Sequence, residues 1–85
     1  MPYVDPAARK RLQVYETTTL PQTPGELNFV FSRLIDRVLG HTLSYDKINT
    51  VIGVLECCKL EAFRRIGANY EDRKIAENGD VFLER

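Results

Sequence analysis

The sequence has few of the residues that build reactive centres. It contains one histidine, His41, and two cysteines, Cys57 and Cys58, which are adjacent. Neighbouring helical positions point about 100° apart, so these thiols do not make an ordinary structural staple with each other. Two adjacent cysteines and one distant histidine also leave no zinc-ligand spacing. No metal site and no cofactor are therefore expected. A net charge is missing as well, because twelve basic and twelve acidic side chains cancel. Nucleic-acid binders usually carry a marked basic excess, and Arg9-Lys10-Arg11 is too short to supply one. Neither DNA nor RNA is an expected partner. No apolar run approaches the ~20 residues that span a bilayer. The start, MPYVDPAARKRL, lacks the basic, apolar and small-residue segments of a signal peptide. No membrane association is expected, and the expected location is cytoplasmic.

What remains is a short chain of 85 residues, enough for one domain. Near this size a single core rarely supplies more than ~3–5 kcal/mol. Without disulfide or metal, a partner subunit is the natural way to bury more apolar surface. The two thiols are expected to be reduced and mostly buried. The domain reads as an arm over residues 1–22, a helical core over 23–78 and a tail over 79–85.

The helix signals are local and physical. Asp5-Pro6 reads as an N-cap followed by proline at the first helical position, opening a short helix to about Tyr15. "ETTTLPQTPGE", residues 16–26, reads as an extended linker. Thr23-Pro24-Gly25-Glu26 is a capping box, in which Thr23 accepts from the backbone N–H three residues on and Glu26 reaches back. Leu27, Val30, Phe31, Leu34, Ile35 and Val38 then recur at three and four. The helix covers 24–39 and stops at Gly40. Ser44 caps the next helix, with Asp46 in its first turn. Ile48, Val51, Ile52, Leu55, Cys58, Ala62 and Ile66 form one stripe of it, flanked by Val54, Cys57, Leu60 and Phe63. One neighbouring helix does not cover so wide a surface. Gly53, between the stripes, is expected to permit close helix–helix approach.

The fold class is thus all-α: an antiparallel hairpin of helices 24–39 and 45–66, with an extended N-terminal arm and a short tail, in a homo-oligomeric helical assembly. The second helix either ends at Gly67 or runs on to residue 77. Continued, it would rise about 50 Å, against a radius of gyration of about 12 Å for a compact chain of this length. Asn78-Gly79 is the stop signal in either case, and Val81-Phe82-Leu83 is then free to dock on something apolar.

Candidate chemistry is sparse. His41 lies in a connection with no nucleophile tied to it by spacing. Glu56 and Glu61 lack the Glu-x-x-His pattern of bundle di-metal sites. Catalysis is not expected. The more informative set is basic and aromatic: Arg64, Arg65, Tyr70, Arg73 and Lys74. Arginine and lysine donate to phosphate, arginine through a planar fork, and Tyr70 can stack on a base. The bland alternative is a solvated face with ion pairs Glu71–Lys74 and Arg73–Glu77.

Three segments carry a resemblance: "TPGELNF" at 23–29, "SYDKINTVIGVLECCKLEAFRR" at 44–65 and "YEDRKIAENGDVF" at 70–82. The chain resembles a small uncharacterised bacteriophage and prophage protein family with a C-terminal motif of the YEDxKIAENGDV type. In that family a proline often precedes Tyr-Glu-Asp and a tyrosine often closes the tail; here those positions hold Asn69 and Phe82. The resemblance implies a phage origin and a small helical fold, and it brings no established activity. Small helical oligomeric phage proteins include sponges that sequester nucleotide immune signals of host defence. By that analogy the expectation is a non-enzymatic anti-defence binder in the host bacterial cytoplasm. Its partners would be itself and a small nucleotide, held between subunits by Arg64, Tyr70, Arg73, Lys74, Asn78 and Asp80. The alternative is a structural or interaction protein that docks on a protein partner without a small ligand.

Overall fold

The computed structural model describes residues 4–17 and 19–83. These residues form helices and connections, with no strand among them, so the all-α expectation holds. The chain divides into two compact units, Met1–Val51 and Ile52–Arg85.

In the first unit Asp5 caps α1 (Pro6–Leu12): its Oδ1 accepts from the Ala8 N–H at 2.8 Å. The expected helix to Tyr15 is interrupted at Gln13. The Gln13 N–H donates to Lys10 O at 3.3 Å and the Glu16 N–H to Gln13 O at 2.9 Å. Both bonds reach back three residues, the tight spacing in which a helix end satisfies its loose carbonyls. A single turn, α2 (Val14–Thr17), follows and takes in Glu16 and Thr17, which the composition assigns to the linker.

The capping box opens α3 (Pro24–Leu39), with the Glu26 N–H donating to Thr23 Oγ1 at 3.1 Å. The return bond differs from the expected one. Glu26 Oε1 accepts from the Gln22 N–H at 3.0 Å, one residue before the cap. Gly40 ends the helix with φ +66° and ψ −159°, and its N–H donates to Asp36 O. The positive φ suits glycine, but the extended ψ sends the chain away from a left-handed turn. Ser44 Oγ accepts from the Lys47 N–H at 3.2 Å and opens α4 (Tyr45–Ala62). Lys47 Nζ then donates to Thr42 O at 2.6 Å and Leu39 O at 3.4 Å, closing the connection.

Packing between described elements joins chain neighbours, α1 with α2 and the turn at 63–67 with α5. An interhelical seam needs the ridges of one helix in the grooves of another at 8–10 Å. No described apolar side chain is buried.

In the second unit the helix does not break at Gly67, which keeps helical angles of φ −65° and ψ −49°. It runs through a π turn, Phe63–Gly67, in which the Ala68 N–H reaches back five residues to Phe63 O. Asn69 Nδ2 donates to Arg65 O at 2.8 Å, so a side chain satisfies a carbonyl of the widened turn. α5 (Ala68–Asn78) continues to Gly79, where φ is +86° and the N–H donates to Ile75 O. Cys57 and Cys58 are free and exposed, against the expectation of buried thiols. A Cβ at Gly53 would meet no atom within 4 Å. At Gly67 a Cβ would lie 2.9 Å from Phe63 Cδ2.

The same substitution should therefore have different consequences at these two glycines. Gly53→Ala should stabilise the helix by up to ~1 kcal/mol, the propensity gain of alanine over glycine. Gly67→Ala should recover much less, because the Phe63 ring must move. Thermal unfolding followed by circular dichroism checks the order. A larger gain for Gly67→Ala would contradict the packing of Phe63 on Gly67.

Candidate functional site

The polar face of α5 follows from helical spacing. Tyr70, Arg73, Lys74 and Glu77 are three, four and seven residues apart and share one side. The Arg73 guanidinium carbon lies 5.8 Å from the Tyr70 ring centroid and Lys74 Nζ lies 5.5 Å from it. Exposed cation–π contacts of this kind are worth about 0.5–1 kcal/mol. Lys74 Nζ also pairs with Glu77 Oε2 at 3.2 Å. This replaces the two expected pairs, Glu71–Lys74 and Arg73–Glu77. Arg73 thus brings a guanidinium with no carboxylate partner among the described residues.

The other four expected or flanking groups are placed differently. Arg64, on the π turn, donates through Nη2 to both Glu61 oxygens at 3.1 and 3.2 Å. Arg65 Nη1 reaches Glu61 Oε1 at 3.4 Å. Asn78 is the last residue of α5. Asp80 Oδ1 accepts from the Phe82 N–H at 2.9 Å and holds the tail in a turn. Among the described residues, the structure brings together Tyr70, Arg73 and Lys74. No hydrogen bond, ion pair or cation–π contact joins Arg64, Asn78 or Asp80 to them.

Glu61 was not among the sequence candidates. Its signal was present as acid-to-base spacings of three and four, to Arg64 and Arg65. The hydrogen bond from Arg64 holds the Glu61 carboxyl below its ordinary value of 4.5. Partial burial opposes this, and the charges of Arg64 and Arg65 add to it. No group of three or more metal-ligating side chains occurs among the described residues. A recess lined by Val4, Arg9, Leu12, Gln13 and Glu16 lies in the first unit. It is open, and Arg9 Nε already donates to Val4 O at 3.0 Å, so it has less to offer a ligand than α5. No described helix is long and apolar enough to cross a membrane.

The lowered Glu61 pKa sets a pH dependence. A carboxylate whose folded pKa is depressed stabilises fully above its unfolded value and stops doing so as pH falls through the folded one. Helicity should decline in that acid window, from about 4.5 downward. Glu61→Gln should remove this part of the titration, read by circular dichroism. An unchanged acid titration in the variant would show that Arg64 and Arg65 do not hold Glu61 in solution.

Among known proteins, neither a curated protein nor a solved structure matches this chain significantly. A family profile does match, over residues 1–81, under the description Domain of unknown function (DUF6899). That match takes in the arm, all the helices and the Asn78-Gly79 stop, and on it the chain belongs to the DUF6899 family.

Proposed function

We propose that this is a non-enzymatic phage protein that binds and sequesters a small nucleotide-derived signal of host defence, in pockets between subunits of a homo-oligomer. The observation that carries this reading is the half-exposed Tyr70 ring flanked by Arg73 and Lys74. An aromatic face takes a base, a guanidinium fork takes phosphate in two parallel bonds, and an ammonium adds a point charge. Arg64, Asn78 and Asp80 do not contact this cluster within one chain. A pocket that uses all six side chains therefore draws some of them from a second copy. The uncovered apolar surface of α4 supplies the reason for copies to associate.

A second reading has its own support. Val81, Phe82 and Leu83 are highly exposed, as suits a structural or interaction protein whose tail docks on a partner without any small ligand.

Native mass spectrometry separates the two. The intact protein is measured before and after adding cyclic and ADP-ribose-type nucleotides. Stoichiometric uptake of one of them by a defined oligomer supports the first reading, and an oligomer that ignores them all supports the second. In the binding case Arg73→Ala should weaken uptake about 10- to 150-fold, the loss of one charged hydrogen-bonding group worth ~1.5–3 kcal/mol, and leave the oligomer intact. Undiminished binding by that variant would remove α5 as the site.

A further inference from the structure

The tail is apolar and exposed, yet held in shape. Val81, Phe82 and Leu83 are 90%, 78% and 79% exposed. The Gly79 N–H is bonded to Ile75 O, and Asp80 Oδ1 accepts from the Phe82 N–H two residues on. This Asx turn fixes the backbone beneath Val81 and Phe82 before any partner is met. A preorganised segment loses less entropy on docking than a free one.

The same unit carries an apolar face of matching kind. Leu60, Phe63 and Ile66 are all more than half exposed, and the Phe63 ring lies against Gly67, which has no side chain to shield it. Arg64 and Arg65 stand beside this face and share the single Glu61 carboxylate, which leaves a net positive charge there, as Asp80 stands beside the peg. An acidic group next to the apolar residues of one surface thus meets basic groups next to those of the other.

The reach of the chain decides which copy supplies the peg. From Phe63 to Gly79 the helix climbs sixteen residues, about 24 Å at 1.5 Å each. From Gly79, the three residues to Phe82 extend at most about 11 Å. Phe82 therefore cannot return to Phe63 of its own chain. We propose that Val81–Phe82–Leu83 of one copy seats on the Leu60–Phe63–Ile66 face of a second copy, with the remaining Asp80 oxygen toward Arg64 and Arg65. Each copy carries both the peg and the face, so a reciprocal exchange between two copies closes into a two-fold pair. This rests on the self-association in the proposed function and not on its ligand.

Site-directed cross-linking of the full chain tests it. In a Cys57→Ser, Cys58→Ser background, one preparation carries Phe82→Cys and a second, isotope-labelled one carries Ile66→Cys. They are mixed, mildly oxidised and read by intact mass. The expected product is a disulfide-linked pair of one heavy and one light chain. A Leu20→Cys preparation, equally exposed but outside the face, should give at least tenfold less. Equal linking to Leu20→Cys, or no linked pair from an intact oligomer, overturns the exchange. Phe82→Asp gives an independent readout: the oligomer should dissociate with helicity unchanged, and an undisturbed oligomer again overturns the proposal. A parent chain that is monomeric would sink the self-association as well, whereas an oligomer without the cross-link sinks the peg alone.

Discussion

The apolar surface that surrounds α4 is the constraint on which the rest depends. Between Ile48 and Ile66 the apolar side chains do not keep to one side; Val54 and Leu60 lie off the stripe that holds Val51, Ile52 and Leu55. A helix of that kind in water needs more than one neighbour. No described side chain is buried. Local hydrogen bonds, caps and short-range ion pairs shape each helix, while most of what ordinarily stabilises a fold, the removal of apolar area from water, is still to be gained.

The π turn gives that surface its continuity. A glycine near a helix end commonly stops it, and at Gly67 it does not. The turn widens by one residue, the Phe63 ring fills the space above Gly67, and Asn69 satisfies Arg65 O. Insertions of this type are often found at functional sites. Here the insertion lies between the apolar length of α4 and the charged face of α5, with Arg64 and Arg65 on the turn itself. The side chains that would bind a nucleotide and those that would bind another copy are carried on consecutive turns.

Much of the architecture was legible in the residues. Asp5, Thr23 and Ser44 cap where side-chain chemistry says they should, and Gly40 and Gly79 end helices with positive φ. These signals act within four residues, and a sequence displays them directly. The break at Gln13, the Glu26 bond to Gln22 and the passage through Gly67 depend on small differences between competing local bonds, which periodicity does not rank. The exposure of Cys57 and Cys58 is not legible for another reason. Apolar company implies burial only when something covers it, and the composition of one chain does not say what does. Of the candidate site, the grouping of Tyr70, Arg73 and Lys74 follows from helical spacing. The preference of Lys74 for Glu77 and the hold of Arg64 and Arg65 on Glu61 depend on side-chain conformations that spacing leaves open.

Lys47 shows how the connection is wired. It stands in the first turn of α4, where the helix dipole disfavours a cation, yet its ammonium group reaches the carbonyls of Leu39 and Thr42. Electrostatically it belongs to the helix before it, whose carboxyl end attracts positive charge. One side chain thus serves the exit of α3 at some expense to the entrance of α4. Exchanging it for an acid would suit α4 in isolation and would leave the end of α3 facing a repelling charge. Improving the start of α4 alone would therefore loosen the joint between the two helices.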